Sequence, residues 1–148
     1  MRIGVSTAKA LAVVDNIPIV GVSSLEGLAY KIKKDDGIIC SLIDANNHQV
    51  YCGIFDNNYN LVNEYIADDI DNVSTVLEKF SNITFVGDGA YNYLNKTDCI
   101  STFLASQIGL FGYEKYLNGI HEYADTITPL YLRVSQAERM RQQNDSNS

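Results

Sequence analysis

A helical pattern of apolar residues opens the chain. The residues that carry it are Ile3, Ala8, Leu11 and Val14. Their spacing predicts a helix over residues 3–15, and the small side chains of Ala8 and Ala12 let another helix approach closely. No capping residue, turn or strand precedes Arg2, so we expect an element that once had further chain in front of it.

A strand and a second helix are predicted next. The β-branched run at residues 17–22, entered through Pro18, predicts a short strand. Ser23 and Glu26 have the spacing of a capping box, which predicts a helix that ends before Asp35-Asp36-Gly37.

Three strand-like runs follow, at residues 38–44, 50–56 and 61–66. Asparagine pairs at 46–47 and 57–58 occupy the two turns between them, where Asn tolerates left-handed backbone. This pattern predicts an antiparallel meander.

The second half of the chain alternates between helical and strand-like segments. Asp69 or Asp71 is expected to cap a helix whose apolar face consists of Val73, Val76, Leu77 and Phe80. The later elements are predicted as a buried strand at 83–86, a helix at 102–118, an extended segment at 129–133 and a disordered tail from 136. Because each interior glycine of a helix costs about 1 kcal/mol relative to alanine, Gly109 and Gly112 predict a closely packed neighbour. The fold class is therefore α/β, with a mixed sheet that contains the meander and is flanked by helices.

Composition narrows the class of protein. A chain of 148 residues with 46% hydrophobic residues can bury the core of one domain. Its net charge of -7 argues against independent binding of a nucleic-acid backbone, so any role with RNA would be shared. Cys40, Cys52 and Cys99 form neither a disulfide framework nor a zinc motif, and we read them as small core residues of a cytoplasmic protein. No signal peptide or membrane-spanning run is found.

Two segments of the sequence contain candidate residues for a metal or phosphate site. His121, Glu122 and Asp125 form a compact cluster, but His48 is distant and no H-E-x-x-H motif is present, so a solvated loop is favoured. The segment Gly87-Asp88-Gly89 follows a strand and precedes a helix, where backbone N–H groups can cradle a phosphate. It lacks a Walker lysine and the G-x-G-x-x-G spacing, which favours a plain turn.

A carboxylate pair and a serine or cysteine nucleophile are two further catalytic arrangements that the sequence could contain. Asp44 ends a strand near Asp88 in a plausible sheet, and two carboxylates that meet can bind magnesium or perform acid–base chemistry. No G-x-S-x-G motif is present, and neither histidine is placed as a base for a cysteine. The sequence therefore predicts no self-sufficient catalytic centre, no metal and no cofactor, and it favours a protein that binds another protein.

Motifs along nearly the whole chain resemble the TsaB (YeaZ) family of bacteria. They are the segments 2–12, 17–26, 41–45 with 50–51, 87–90, 124–125, 129–133 and 137–139. The resemblance implies an actin-like fold of the hexokinase and sugar-kinase superfamily, which is ribonuclease H-like. It also implies a non-catalytic scaffold that binds a TsaD-type catalytic subunit and works with a TsaE-type ATPase in tRNA threonylcarbamoyladenosine synthesis.

The resemblance also implies a division of the chain. Residues 1–16 correspond to a remnant helix of a first lobe, 17–135 to the second actin-like lobe, and 136–148 to a polar tail. The rest of a first lobe is missing, so the chain is expected to be an incomplete fragment. Asn46 and Asn47 stand where the family tends to have two arginines, which puts any contact of those arginines with a partner or RNA in doubt.

First-lobe helices form the interfaces of the family's heterodimers and homodimers, so the resemblance makes the first helix the expected partner-binding element. The expected partner-binding residues are Arg2, Ile3, Val5, Ser6, Lys9 and Ala12. A homodimer through this helix is the other expected assembly, and tRNA is expected to be contacted only indirectly. Two enzyme hypotheses stay open, an ATP-binding enzyme of the sugar-kinase superfamily and a metallopeptidase-like protein.

Overall fold

The computed structural model describes residues 2–32, 35–96, 105–130 and 132. The elements in these ranges are α1 (Arg2–Val14), α2 (Ser24–Tyr30), β1 (Ile38–Asp44), β2 (Gln49–Phe55), β3 (Ile66–Asp69), α3 (Ile70–Leu77), β4 (Ile83–Val86), α4 (Asp88–Leu94) and α5 (Ala105–Leu117). The helix predicted at 3–15 is confirmed as α1. No helix of the described residues has the length and apolar character needed to cross a bilayer.

The described strands form one sheet in the order β3-β2-β1-β4. β1 pairs with β2 and β2 pairs with β3 in antiparallel fashion, whereas β4 joins β1 in parallel. The turn between β1 and β2 uses Asn46, Asn47 and His48, whose φ angles are 62°, 52° and 63°. Left-handed backbone at both asparagines agrees with the predicted turn chemistry, because Asn adopts this region more readily than most residues.

The third strand of the meander lies later than predicted. The run at 61–66 contributes an isolated bridge between Leu61 and Phe55, and β3 begins at Ile66, which pairs with Cys52. Leu61 and Ile66 are separated by two more residues than their partners on β2, Phe55 and Cys52. The segment therefore bulges away from the ladder around Asn63. The prediction of a continuous strand at 61–66 was therefore wrong.

The strand predicted at 17–22 is also wrong. The described backbone there makes one antiparallel bridge, in which Ile19 and Glu122 exchange two N–H to carbonyl bonds of 2.8 Å each. Pro18 has no N–H to donate, so a ladder cannot extend through it. The segment is held to the loop after α5 without forming a regular strand.

Apolar side chains cover both faces of the sheet. One face is packed against α3 and α4, and its buried residues are Cys40, Leu42, Val50, Cys52, Ile54, Ile70, Val73, Leu77 and Ala90. The opposite face is packed against α2, and its buried residues are Leu25, Leu28, Ala29, Ile39, Phe55 and Val86. Each fully buried Val, Leu, Ile or Phe contributes about 1.5–3 kcal/mol, so this two-sided core dominates the stability of the fold.

The capping box of α2 is confirmed, and it extends to α5. The Ser23 N–H donates to Glu26 Oε2 at 2.7 Å, and the Leu25 N–H donates to Ser23 Oγ at 3.2 Å. Glu26 Oε1 also accepts from Lys115 Nζ at 2.6 Å, and the Lys115 ammonium lies 5.0 Å from the centre of the Phe111 ring. Partly buried charges in such a pair are screened less than surface pairs, which ties α5 to the start of α2.

The predicted packing at the glycines of α5 is confirmed at Gly112, whereas Gly109 has no close neighbour among the described residues. A Cβ at Gly112 would lie 3.4 Å from Val22 Cγ2, and one at Gly109 would have no described residue within 4 Å. The predicted helix residues 102–104 lie outside the described residues, as do the tail from 136 and part of the extended segment 129–133.

The cap predicted for α3 differs in detail. Asp69 occupies the N-cap position, but its side chain makes no capping hydrogen bond. The neighbouring Asp68 carboxylate instead accepts from the Asp69 N–H at 2.7 Å and from the Asn72 amide at 3.1 Å. Asp71 lies in the first turn, so negative charge is present at the helix start although the Asp69 side chain does not cap it.

Ser41 generates a prediction about stability. Its hydroxyl is buried with no hydrogen-bond partner among the described residues. Because an unsatisfied buried polar group costs about 1–3 kcal/mol, Ser41→Ala should raise the free energy of unfolding by about 1 kcal/mol in a urea titration. Ser23→Ala is the matched control and should lower it by about 1 kcal/mol through loss of the cap. A loss of stability in Ser41→Ala would contradict this account of the hydroxyl.

Candidate partner-binding surface

Helix α1 is held to the rest of the chain along one row of its surface. Lys9 Nζ donates to the Ile127 carbonyl at 2.9 Å, and Ala12 is buried. At the end of the helix Asn16 has a φ of 49°, and the Ile17 N–H donates back to the Ala12 carbonyl at 2.9 Å. This is a Schellman ending, in which a left-handed residue lets the next N–H satisfy a carbonyl of the last turn. The chain can therefore leave the helix and turn back toward the residues that contact Lys9 and Ala12.

The opposite row of α1 is apolar and uncovered. Ile3, Leu11 and Val14 are 84%, 71% and 79% exposed. Between the large side chains lie small ones, and together they line a shallow, open depression formed by Ile3, Ser6, Thr7, Ala10 and Leu11. The spacing of these positions is that of one helix face. We call Ile3, Ser6, Thr7, Ala10, Leu11 and Val14 the outer row.

The Thr7 hydroxyl of the outer row places little demand on a partner. The Thr7 hydroxyl donates to the Ile3 carbonyl at 2.9 Å within the same helix. Its hydrogen is thus satisfied internally, and covering it with an apolar partner leaves no unpaired donor. The outer row is suited to packing against a second apolar helix at close range.

Energetics favour covering this helix. An isolated helix of fewer than about 12–15 residues is marginal in water, and α1 has 13 residues with few contacts on its inner row. Burying an exposed Ile, Leu or Val contributes about 1.5–3 kcal/mol each. A partner that covers Ile3, Leu11 and Val14 would therefore stabilise both the complex and the helix itself.

The residues predicted from the sequence to bind a partner lie partly on the outer row and partly on the side of α1 that faces its own chain. Ile3 and Ser6 belong to the outer row, whereas Lys9 contacts its own chain, Ala12 is buried and Val5 is half-buried. Arg2 begins α1, and its side chain lies outside the described parts. Sequence reasoning did not assign Thr7, Ala10 and Leu11 to the surface. They lie four, seven and eight residues after Ile3, and this helical spacing was the signal that could have found them.

Asp44 and Asp88 are brought together, as a plausible sheet had suggested. The Asp44 N–H donates to Asp88 Oδ1 at 2.9 Å. The Asp44 carboxylate accepts from the Asn46 N–H at 2.7 Å, the Asn92 amide at 2.7 Å and the Tyr93 hydroxyl at 2.8 Å. These bonds join the end of β1 to α4. The arrangement is a brace in which both carboxylates serve local structure.

The hydrogen bonds of this brace shift the pKa values of Asp44 and Tyr93. Partial burial would raise the pKa of Asp44, but the hydrogen bonds from Asn46, Asn92 and Tyr93 hold that pKa below its ordinary value of 3.8. The hydrogen bond to the Asp44 carboxylate in turn raises the pKa of Tyr93. Both directions favour a carboxylate that stays ionised and a phenol that stays protonated.

The Gly87-Asp88-Gly89 segment is a strand-to-helix turn, as favoured from the sequence. Gly87 has a φ of 106°, and a Cβ there would clash with the Leu42 carbonyl oxygen. A Cβ at Gly89 would lie 3.1 Å from the Leu42 carbonyl carbon and 3.2 Å from the Asp44 nitrogen. Glycine is required because the turn packs directly on the backbone of β1.

The two histidines lie in different places on the surface. His48 Nε2 lies 3.6 Å from Asp71 Oδ2 in an exposed pair. His121 contacts the rings of Tyr116 and Tyr123, and Glu122 and Asp125 are exposed beside it, so the predicted solvated loop is confirmed. Within the ranges that the structure describes, no three His, Cys, Asp or Glu residues are grouped so as to hold a metal ion.

Comparison with known proteins gives consistent matches. A family model for TsaD, described as tRNA N6-adenosine threonylcarbamoyltransferase, matches residues 1–137. The chain is 32% identical to the tRNA threonylcarbamoyladenosine biosynthesis protein TsaB of Bacillus subtilis (strain 168), over 93% of this chain and 66% of that protein. The chain thus spans about two thirds of the length of this relative.

Solved structures show the same fold. YeaZ from Pseudomonas aeruginosa superimposes with a TM-score of 0.70 at 19% identity, over 88% of this chain and 67% of that one. A second structure, described as an uncharacterized protein with similarity to peptidase YEAZ from Pseudomonas aeruginosa, gives 0.67 at 20% identity, over 89% and 67%. Together with the family match, these structures place the mixed sheet and its helices in the actin-like class, as the sequence predicted.

The Asp44 brace predicts a pH-dependent contribution to stability. Because the pKa of Asp44 is lowered in the folded chain, its contribution is present above the ordinary value of 3.8 and is lost as the pH falls through the folded-state pKa. Asp44→Asn should therefore lower the free energy of unfolding at neutral pH, and the difference from the unmodified chain should shrink in acid. Urea titrations at neutral and acidic pH measure this difference. A deficit of equal size at both pH values would show that charge is not involved.

Proposed function

Because this chain belongs to the TsaD family and matches its TsaB (YeaZ) members, we propose that it serves tRNA threonylcarbamoyladenosine biosynthesis as a non-catalytic scaffold. In this proposal the chain binds a TsaD-type catalytic subunit, works in the cytoplasm with a TsaE-type ATPase, and contacts tRNA only through its partners. The observation that carries the proposal is the outer row of α1. A well-formed apolar helix face without cover is the expected form of a helix-binding surface.

Charge and local chemistry support a binding role. A net charge of -7 opposes direct attachment to the tRNA backbone, so positive charge for tRNA has to come from another subunit. The carboxylates of Asp44 and Asp88 are occupied by hydrogen bonds to the backbone and to α4. Neither observation supplies a transferase centre within this chain.

Partner binding is tested by calorimetric titration of this chain into a TsaD-type subunit. Leu11→Glu places a charge at the centre of the outer row while keeping a good helix former, so it should weaken binding by at least about tenfold. Leu110→Glu on α5 is the matched control, because Leu110 is also exposed and apolar but lies on another helix. It should leave the affinity unchanged.

Three results would contradict this assignment. Equal weakening by Leu11→Glu and Leu110→Glu would mean that the effect is not specific to α1. Binding that is unaffected by Leu11→Glu would remove the outer row from the interface. Transfer of the threonylcarbamoyl group by this chain without a TsaD-type subunit would replace the scaffold role with a catalytic one.

The same surface predicts competition between a homodimer and the heterodimer. A second copy can cover the outer row with its own outer row, and both assemblies cannot form at once if they share it. In sedimentation velocity, the dimer fraction should rise with concentration, fall on addition of the TsaD-type subunit, and be strongly reduced by Leu11→Glu. A dimer that persists in Leu11→Glu would use a different face.

A further inference from the structure

Two cysteines meet inside the core of the sheet. Cys40 on β1 is paired with Ile54, and Cys52 on β2 is paired with Leu42, so the cysteines are diagonal neighbours on one face. Their sulfur atoms lie 3.7 Å apart, and both residues are fully buried. The thiols are in contact but not bonded.

Helices α3 and α4 pack on the face of the sheet that carries this pair, α3 against β2 and α4 against β1. Both cysteines belong to the apolar cluster that includes Val73 and Leu77 of α3. Burial in such surroundings suppresses the thiolate, which is the reactive form, so an oxidant cannot use the pair while the sheet is closed. The hydrogen bond with Cys52 and the burial also raise the pKa of Cys40 well above its ordinary value. Reactivity therefore requires local opening.

We propose that Cys40 and Cys52 are a redox-sensitive pair, which closes to a disulfide by exchange with a small-molecule disulfide such as oxidised glutathione when α3 opens from the sheet. α3 has eight residues and is a plausible unit of local opening, since short elements open at lower free energy than the whole domain. The helix gives access, and the neighbouring strands keep the second thiol within reach of the first.

The exchange proceeds in two balanced steps. One cysteine thiolate attacks a sulfur of oxidised glutathione, forms a mixed disulfide and releases one glutathione thiolate, which takes up the proton lost by the cysteine. The other cysteine thiolate then attacks the protein sulfur of that mixed disulfide and releases the second glutathione. The protein loses two hydrogen atoms, which are two protons and two electrons, and the oxidant is reduced to two thiols.

Closure changes the geometry of the core. A disulfide has a sulfur–sulfur distance of about 2.05 Å, which is well below the 3.7 Å between the thiols. β1 and β2 must shift or both side chains must change rotamer, and the packing beneath Val73 changes with them. Oxidation is thus expected to keep α3 from returning to its reduced position.

The test uses the full chain carrying Cys99→Ala, so that the pair is the source of all thiol chemistry. The folded protein is incubated with oxidised glutathione, quenched in acid and cleaved before Asp36, Asp44 and Asp56 without reduction. This cleavage separates residues 36–43 from 44–55, with one cysteine in each peptide. We expect a linked product lighter by two hydrogen atoms than the two peptides together, and its loss in Cys40→Ala and in Cys52→Ala.

The opening route is tested by a pair of core variants. Val73→Ala loosens α3 and should speed formation of the linked product by about tenfold, because it lowers the cost of opening this helix. Leu28→Ala loosens α2 on the other face and should have a much smaller effect. Equal acceleration would overturn opening through α3, and single glutathione adducts without a linked product would overturn the pair itself.

Discussion

The position of β1 between β2 and β4 is the constraint on which the remaining structure depends. Successive side chains of β1 point to opposite faces, so Cys40 and Leu42 enter one core layer and Ile39 enters the other. The parallel neighbour β4 must then leave the sheet beside the end of β1. Gly87 allows this departure because its left-handed backbone comes against the Leu42 carbonyl.

The sequence predicted those helices and strands whose own residues supply both the hydrophobic pattern and the capping or turn residues at their ends. The capping box at Ser23 and the strand Ile38–Asp44 are examples, since local chemistry determines both. Strands that depend on a distant partner were less predictable. Residues 17–22 have the composition of a strand but only one bridge, and the bulge near Asn63 depends on the register against β2.

The candidate surface shows the same limit. Helical spacing predicted an apolar row on α1, but it did not determine which face of the helix packs against the rest of the chain. That choice depends on Lys9, which reaches a carbonyl 118 residues away at Ile127. No local pattern encodes such a contact, so Val5, Lys9 and Ala12 were assigned to a partner although they lie on the row that faces their own chain.

Glu26 gives the fold a further property. One oxygen of its carboxylate serves the start of α2 and the other binds Lys115, so a single side chain satisfies a helix terminus and neutralises a cation on another helix. Shortening it to Asp would spoil the reach, and making it Gln would keep the cap but leave the ammonium without its counter-charge. Positions 23, 26 and 115 are therefore expected to vary together among homologous sequences, as a linked triplet rather than as three independent sites.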